Sequence, residues 1–458
     1  MRIARRLLPR RRGGATPQAI APTPAFAIAA SAVATLSGPV AFRTALLELI
    51  ATATRRIVIV ALYLQDDDAG REIMDALYAA KARRPDLQVA LFLDWHRARR
   101  GLIGKQHSEG NAAMYRRYRE RHGLGIEVYG VPVQNRELFG VLHVKGFVFD
   151  DTVLYSGASL NDVYLARHEV YRLDRYHLLR HAGLANALAG FARQHLLPAG
   201  ATCRLDLPGA PSPRRLSRTI RGLRAALGQA IYAVPHEVPG AGEIAVTPLL
   251  GFGRTHNALD TAVLQLLREA RRQVILLTPY FNLPRPLRGA VGSLLRRGCR
   301  IDIMVGDKTA NDFYIPPGQP FKTIGLLPYL YENNLRRFMR GHRRQIASGQ
   351  LRIHLWRHGA NSYHTKGLFI DDEVAVLTGS NLNPRAWRLD LENALVLRDP
   401  QRLLYARHQA EWDALREHAT RLADDAALER PAQYPPAVRR NLRRLKRTRL
   451  DRLVNRLL

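Results

Sequence analysis

Four short runs of apolar residues give the two halves of the chain the same pattern. Residues 57–63 and residues 274–280 are continuous apolar runs, and each follows a pair of arginines. Each run precedes a segment of helical character and then a second apolar run, at residues 89–93 and residues 301–305. Continuous apolar runs are typical of strands buried on both faces, and a helix between two of them indicates a crossover connection. The pattern therefore predicts an α/β fold.

Three further blocks recur in the same order in both halves, about 220 residues apart. The matched blocks are residues 142–151 with 363–372, residues 157–161 with 379–383, and residues 171–174 with 387–390. Repetition of this kind indicates two copies of one structural unit. We expect two mixed sheets flanked by helices and related by a pseudo-twofold axis.

The length of 458 residues also favours more than one domain. Residues 208–242 are rich in Pro, Gly and Arg and read as a linker with one helix. The predicted organisation is a basic N-terminal tail (1–40), a first domain (41–207), the linker (208–242), a second domain (243–430) and a basic C-terminal tail (431–458).

The N-terminal region imitates a secretory signal, because basic residues 2–12 precede the apolar run 25–36. We favour a chain that is not exported, since the run is dominated by Ala, follows Pro22 and Pro24, and leads into the first predicted element. No run approaches the roughly 20 apolar residues of a membrane-spanning helix.

The formal net charge of +31 predicts attraction to an anionic partner, either nucleic acid or a phospholipid surface. Residues 439–458 alternate basic clusters with leucines at helical spacing, which predicts a basic amphipathic helix. The two cysteines, Cys203 and Cys299, form no framework of disulfides or metal ligands. The cysteine usage therefore favours a reducing cytoplasm.

Two H-x-K pairs are the candidate chemistry: His143 with Lys145, and His364 with Lys366. Residues two apart on a strand project from the same face, so each pair presents an imidazole beside an ammonium. An imidazole can attack phosphorus or carry a proton, and lysine stabilises charge on phosphoryl oxygens. Two such pairs around one phosphate require no metal or other cofactor. A single histidine of this kind is more often structural, but repetition of the whole block favours catalysis.

Each imidazole needs an acceptor that fixes its tautomer. We predict Glu392 for His364 and Asp174 for His143, with Glu169 as the alternative to Asp174.

The remaining polar residues of the blocks have weaker indications. Asp150 and Asp371 follow the pairs at strand ends, where a turn or salt bridge is the favoured role. Ser159, Asn161, Asn381 and Asn383 can bind phosphate or cap their own loops. Gly157 and Gly379 are expected to permit a close backbone approach.

Together these blocks spell H-x-K-x(4)-D followed by G-x-[SN]-L-N, twice, and so resemble the phospholipase D superfamily. The resemblance implies an active site between two α/β domains and a phosphohistidine intermediate. It also places Asp150 and Asp371 in the catalytic motif.

Within that superfamily, five segments are similar to the phosphatidylserine synthases of bacteria: residues 94–97, 141–146, 155–164, 306–316 and 383–393. The similarity implies transfer of a phosphatidyl group from CDP-diacylglycerol to L-serine with release of CMP. His143 would attack phosphorus, His364 would deprotonate serine, and Lys145 and Lys366 would hold the phosphoryl oxygens. Lys308, Asn311 and Asp312 are then candidates for contact with CMP or serine, although a turn explains them equally well.

The implied partners are the two substrates and an anionic membrane surface bound by the basic tails. Weak association with ribosomes or nucleic acid follows from charge alone. The implied location is cytoplasmic, on the inner face of the plasma membrane.

Two alternatives stay open from the sequence. A cardiolipin synthase or phospholipase D would share the half-sites but use another acceptor. A nuclease would also explain the charge, but nucleic-acid binders usually mix aromatic residues into their basic surface, whereas this basic tail interleaves leucine.

Overall fold

A computed structural model describes residues 24–100, 110–197, 203–209, 213–316 and 318–448. The strands are β1 (Phe26–Ala29), β2 (Val33–Thr35), β3 (Arg56–Ala61), β4 (Gln88–Asp94), β5 (Glu127–Val131), β6 (Gly146–Phe149), β7 (Thr152–Ser156), β8 (Arg172–Leu173), β9 (Tyr176–Arg180), β10 (Cys203–Arg204), β11 (Glu243–Gly251), β12 (Gln273–Leu277), β13 (Arg300–Gly306), β14 (Leu351–Trp356), β15 (Ser362–Tyr363), β16 (Gly367–Ile370), β17 (Val374–Thr378), β18 (Glu392–Arg398) and β19 (Ala419–Leu422). The helices are α1 (Gly38–Thr52), α2 (Asp68–Arg83), α3 (Trp95–Arg99), α4 (Asn111–His122), α5 (Ala182–His195), α6 (Pro213–Leu227), α7 (Ala258–Glu269), α8 (Arg285–Arg296), α9 (Leu327–Gly341), α10 (Arg343–Ala347), α11 (Tyr405–Glu417) and α12 (Pro436–Arg447).

Two mixed sheets have the same strand order, apart from one extra edge strand. The first sheet runs β10-β5-β4-β3-β6-β7-β9-β2, and the second runs β19-β14-β13-β12-β16-β17-β18-β11-β1. In each sheet three strands are parallel, β3-β4-β5 or β12-β13-β14, and helices connect them. The predicted α/β fold with duplicated halves is confirmed, and the four apolar runs correspond to β3, β4, β12 and β13.

Three large hydrophobic clusters explain why these strands are apolar on both faces. One cluster joins the inner faces of the two sheets, with Val58 and Val148 from the first and Ile275 and Phe369 from the second. The other two clusters lie between the outer face of each sheet and its own helices. The two sheets therefore share one core, and the loops at its edge are where the halves meet.

The N-terminal segment differs from the predicted tail of residues 1–40. β1 pairs antiparallel with β11 of the second sheet, and β2 pairs antiparallel with β9 of the first. Phe26 and Ile28 are buried, which gives the alanine-rich run a structural reason for its apolar positions. The segment therefore bridges both halves, and only residues 1–23 of the predicted tail lie outside the described residues.

The linker carries the predicted helix, α6, but its second part is not a solvent-exposed connection. Leu223, Leu227 and Tyr232 are buried in the cluster shared by the two sheets. Arg-rich composition conceals these apolar positions, because they occupy one face of α6 and the turn after it.

The described part of the C-terminal tail forms α12, and residues 449–458 lie outside the described residues. Val438 is buried against Leu326, Tyr329 and Tyr434, and Leu442 packs on the same cluster. The apolar face of this basic helix therefore contacts the second half of the protein. Among the described helices, none combines the length and apolar character needed to cross a membrane.

Candidate active site

Two short parallel strand contacts bring each H-x-K pair beside a segment of the other half. Leu142 forms a parallel bridge with Leu391, and the amide of His143 donates to the carbonyl of Leu391 at 2.9 Å. In the same way β15 pairs with β8, and the amide of His364 donates to the carbonyl of Leu173 at 2.8 Å. The residue after Leu391 is Glu392, and the residue after Leu173 is Asp174. Backbone register alone therefore places an acid of one half against the histidine of the other.

His143 is held by Glu392 from the second half. Its Nδ1 lies 2.9 Å from both carboxylate oxygens of Glu392, and both side chains are buried. Burial raises the pKa of Glu392 well above its ordinary value, and Lys145 and Lys366 oppose that shift. In its ionised form Glu392 only accepts, so Nδ1 then carries the proton and Nε2 keeps a lone pair. That tautomer is the one required for attack on phosphorus.

His364 has a more crowded environment. Its Nδ1 lies 3.3 Å from Oδ2 of Asp174, 3.0 Å from the hydroxyl of Tyr164 and 2.6 Å from Nζ of Lys366. Lys366 also forms an ion pair with Asp174. In this arrangement the Lys366 ammonium lies between the histidine and its acid.

The predicted pairing of acids and histidines is wrong, because the two acids are exchanged between the halves. Asp174 serves His364, and Glu392 serves His143. The sequence repeat had matched Asp174 with Asp390, whereas the strand contacts match it with Glu392, two positions later. Glu169, the alternative acid, is exposed and takes no part.

The glycine that opens each G-x-[SN]-L-N block leaves room for the lysine of the other half. A Cβ at Gly157 would lie 2.6 Å from Nζ of Lys366, and a Cβ at Gly379 would lie 2.8 Å from Cγ of Lys145. The predicted close approach at these glycines is therefore present, and it explains why both blocks begin with this residue.

The residue that follows each acid binds the backbone of the opposite lysine. Asn393 accepts from the amide of Lys145 and donates to its carbonyl, both at 2.8 Å. Arg175 donates to the carbonyl of Val376 at 3.2 Å, approaches that of Lys366 at 3.5 Å, and pairs through two nitrogens with Glu411 of α11. Both lysines are thus fixed by side chains from the other half.

Burial and clustered cations shift the pKa values of the basic groups. Burial, together with Lys145 and Lys366, holds the pKa of His143 well below its ordinary value. Burial and Lys366 lower the pKa of His364 to about 4, and burial and the neighbouring Lys366 lower the pKa of Lys145 to about 7. In the protein without substrate, both imidazoles are therefore neutral at neutral pH, while Lys145 titrates near neutral pH.

Asp150 and Asp371 have the structural role that we favoured. Both have positive φ angles, 50° and 54°, at the turn after β6 and β16. The carboxylate of Asp150 accepts from the amides of residues 54–56, and that of Asp371 accepts from the amides of residues 271–273. Each aspartate fixes the start of the neighbouring β3 or β12, so it supports the H-x-K pair without touching it.

The four loop residues predicted to bind phosphate or to cap their own loops have different contacts. Asn161 accepts from the amide of Tyr164 at 3.1 Å, and Asn383 accepts from the amide of Ala386 at 2.9 Å. These two asparagines cap their loops. Ser159 is buried near the same loop, and Oδ1 of Asn381 is a buried acceptor with no partner among the described residues. Asn381 therefore has unused hydrogen-bonding capacity.

Of the three candidates after β13, only Asp312 lies beside a histidine of the H-x-K pairs. Asp312 accepts from the hydroxyl of Tyr280 and lies 3.5 Å from Arg172, and its charge acts on His364. Lys308 instead pairs with Glu332 at 3.1 Å and Glu429 at 2.8 Å, away from the histidines. Asn311 accepts from the amide of Phe313 and closes a turn.

Sequence reasoning did not single out several residues of the site. They are Tyr164, Arg172, Arg175, Tyr280 and Asn393, all of which contact a residue of the H-x-K pairs or one of the acids beside them. Their position two or fewer residues from a predicted acid was the one available signal for Arg172, Arg175 and Asn393.

Among the described residues, one group of potential metal ligands lies outside this cluster. The ligand atoms of Asp68, Asp162 and His168 lie within 4.8 Å of one another on the surface. Asp162 accepts from the amide of Ala69 at the start of α2, so helix capping explains its place.

Comparison with known proteins agrees with this geometry. The family described as "Cardiolipin synthase, PLD-like domain" matches residues 46–162 and 263–414, more than half of the chain. A CDP-diacylglycerol–serine O-phosphatidyltransferase of Haemophilus influenzae is 45% identical over 439 residues, which cover 95% of this chain and 96% of that protein. The corresponding protein of Escherichia coli is 47% identical over 421 residues, which cover 92% of this chain and 93% of that protein.

A solved structure supports the same conclusion. The crystal structure of phosphatidylserine synthase from Haemophilus influenzae superposes with a TM-score of 0.92 at 44% identity, and covers 95% of this chain and 97% of that one. The resemblance predicted from the repeated motifs is confirmed. This chain belongs to the phosphatidylserine synthase family of phospholipase D-like enzymes.

Proposed function

We propose that this protein transfers a phosphatidyl group from CDP-diacylglycerol to L-serine, releasing CMP, through a phosphatidyl-histidine intermediate. The observation that carries the proposal is the pair of opposed His–Lys half-sites, each completed by an acid of the other half. The relatives that share nearly the full length of the chain carry this activity in their names.

In the first step Nε2 of His143 attacks the phosphorus that bears diacylglycerol. Glu392 orients the ring and stabilises the charge that the imidazole gains. Lys145 and Lys366 stabilise the charge on the phosphoryl oxygens. CMP leaves as a phosphate ester and needs little protonation.

In the second step His364 accepts the proton of the serine hydroxyl, and the serine oxygen attacks phosphorus. The bond between phosphorus and Nε2 of His143 breaks, which releases phosphatidylserine and restores the imidazole. A hydroxyl is a weak nucleophile until a positioned base receives its proton. An anionic phosphoryl group draws Lys366 towards itself, which leaves Asp174 as the partner of His364.

The experiment that tests this function is an assay of the purified protein with CDP-diacylglycerol in mixed micelles. We expect CMP and phosphatidylserine to form together when L-serine is added. Inert CDP-diacylglycerol, with cleavage of phosphatidylglycerol or DNA instead, would reject the substrate and favour the cardiolipin synthase-like, phospholipase D or nuclease alternatives.

The pH dependence of the first step follows from three shifted groups. We expect protonation of His143 to cause no loss of kcat/KM for CDP-diacylglycerol as pH falls through 6.5, the ordinary imidazole value, because the pKa of His143 lies well below it. A loss on the acid side belongs to Glu392, whose pKa burial raises well above its ordinary value. We expect kcat/KM to fall as pH rises through about 7, because burial and Lys366 bring the pKa of Lys145 to that value and the neutral amine no longer binds phosphate.

The matched variant for this pH profile is Lys145→Arg. A guanidinium stays charged throughout the range, so the alkaline decline should disappear even if the overall rate is lower. A decline that persists in this variant would assign it to another group.

We also propose that the protein binds the anionic surface of the inner face of the plasma membrane, where its lipid substrate lies. Support comes from α12, whose exposed Arg440, Arg443, Arg444 and Arg447 point away from its packed apolar face. Association with ribosomes or nucleic acid stays a prediction from charge.

Neutralising these four arginines to Gln should weaken binding to vesicles that contain anionic lipid. Each basic residue near such a surface contributes about 1 kcal/mol, so the four together change the partition coefficient by about three orders of magnitude. Binding is measured by vesicle co-sedimentation at fixed salt. Replacing the exposed Arg83, Arg121, Arg285 and Arg288 with Gln removes the same charge elsewhere and is the control, and equal losses in both variants would remove the role of α12.

A further inference from the structure

A largely buried pair of opposite charges lies beside His364. The side chains of Arg172 and Asp312 are 17% and 14% exposed, and Nη1 of Arg172 lies 3.5 Å from Oδ2 of Asp312. A well-formed hydrogen bond between such groups is about 2.7–2.9 Å long. The two charges are therefore close but incompletely paired.

The other contacts of this pair connect it to the catalytic histidine. The Arg172 guanidinium lies over the ring of Tyr164 at 4.9 Å, and the hydroxyl of Tyr164 lies 3.0 Å from Nδ1 of His364. Asp312 accepts from the hydroxyl of Tyr280, whose ring meets that of His364 edge-on at 5.7 Å. Both charges thus lie on the walls around one imidazole.

The guanidinium has donors left for a ligand. Within the described residues its contacts to polar groups are Nε to Ser362 at 3.2 Å and the long approach to Asp312. A guanidinium has five N–H donors arranged to match a carboxylate. Burial raises the pKa of Asp312, but Arg172, His364 and Tyr280 outweigh burial and hold this pKa below its ordinary value. Asp312 is therefore a carboxylate at neutral pH.

The pseudo-twofold symmetry is broken at this pair. The strand contacts place Asp390 in the first half-site where Arg172 stands in the second. Asp390 is occupied by Nε of Arg385 at 3.1 Å and by the amide of Val141 at 3.0 Å. The equivalent position thus carries an aspartate with its own partners beside His143 and an arginine with spare donors beside His364, which fits two histidines that receive different groups.

We propose that Arg172 and Asp312 form the binding site for the zwitterionic end of the acceptor amino acid. Arg172 binds the α-carboxylate, Asp312 binds the α-ammonium, and the hydroxyl is directed to His364. The acceptor exchanges one long ion pair for two short ones. This inference rests on the proposed function and specifies how that site selects its acceptor.

The experiment compares three acceptors with CDP-diacylglycerol in mixed micelles. L-serine carries both charges, serinol lacks the carboxylate, and glycerate lacks the ammonium, while all three keep a hydroxyl. We expect the wild-type protein to prefer L-serine by kcat/KM over each of the others by at least about tenfold, because a buried charge left unpaired is costly.

The two variants should lose different parts of this preference. Arg172→Gln should reduce the preference for L-serine over serinol at least about tenfold, and Asp312→Asn should reduce the preference for L-serine over glycerate by a similar factor. Arg172→Lys keeps the charge and should restore part of the first preference. Arg43→Gln breaks the half-buried pair of Arg43 with Glu72 between α1 and α2, and should leave both preferences unchanged.

Each result decides between two roles for the pair. If Arg172→Gln and Asp312→Asn slow all three acceptors by equal factors, the pair only holds the halves together and the proposal is wrong. The same conclusion follows if the wild-type protein uses serinol as well as L-serine. If the wild-type protein forms no phosphatidylserine at all, the proposed function itself fails. Thermal unfolding shows whether Arg172→Gln folds. If it does not fold, Asp312→Asn still tests the proposal, because the Asn side chain has nearly the same shape as Asp.

Discussion

His364→Asn is expected to accumulate the phosphatidyl-enzyme when CDP-diacylglycerol is added, whereas His143→Asn is expected to form none. In the first variant the nucleophile and its acid, Glu392, are intact, so CMP leaves once and the lipid stays on His143. The base that activates the acceptor is missing, which slows turnover by about 10²–10⁴-fold. In the second variant the first bond cannot form, and the loss in turnover is at least as large.

The measurement is a burst of CMP release together with intact-mass detection of one lipid adduct per chain. His122→Asn is the control. His122 is an exposed histidine at the end of α4 with no part in the proposed mechanism, so this variant should leave both readouts unchanged. An adduct on His364, or accumulation in His143→Asn instead, would reverse the assigned order of the two histidines.

The sequence was sufficient for features that depend on local pattern. The apolar runs were enough to predict β3, β4, β12 and β13, whereas each H-x-K pair, expected on a strand, lies directly before β6 or β16. Asp150 and Asp371 were assigned to structure because acids at strand ends commonly close turns, and their amide contacts agree. The glycines of the repeated blocks were also interpretable, because a close approach of another chain segment to the backbone requires a residue without a side chain.

Pairings between the halves were not available from local pattern. The repeat matched residues 171–174 with 387–390 because their letters agree, but the backbone contact matches Leu173 with Leu391. This shift of two positions changes which acid faces which histidine. No periodicity within one half reports the register of a strand contact with the other half.

The same limit applies to Arg172 and to the N-terminal segment. Arg172 acquires its role only because β8 meets β15 and because Asp312 arrives from a loop of the other half. β1 and β2 read as a tail because each contributes only a few residues to a sheet. Short elements that complete a distant sheet carry too few residues for a periodic signal.

The exchange of acids between the halves makes a second prediction with a large effect. Glu392→Gln should behave like loss of His143 and block formation of the phosphatidyl-enzyme. Asp174→Asn should behave like loss of His364 and allow the intermediate to accumulate. An amide in place of the acid cannot hold the productive tautomer, a change that costs on the order of 10⁴-fold in a serine protease triad.

The crossed pattern is what distinguishes the observed pairing from pairing within each half. Glu392 lies in the second half but controls the first histidine, and Asp174 lies in the first half but controls the second. If each acid served the histidine of its own half, Asp174→Asn would block the intermediate and Glu392→Gln would accumulate it. Glu169→Gln removes the exposed acid nearest to Asp174 in sequence and should change neither step. The intact-mass measurement separates these outcomes because it reports the covalent step directly, independently of how far overall turnover falls.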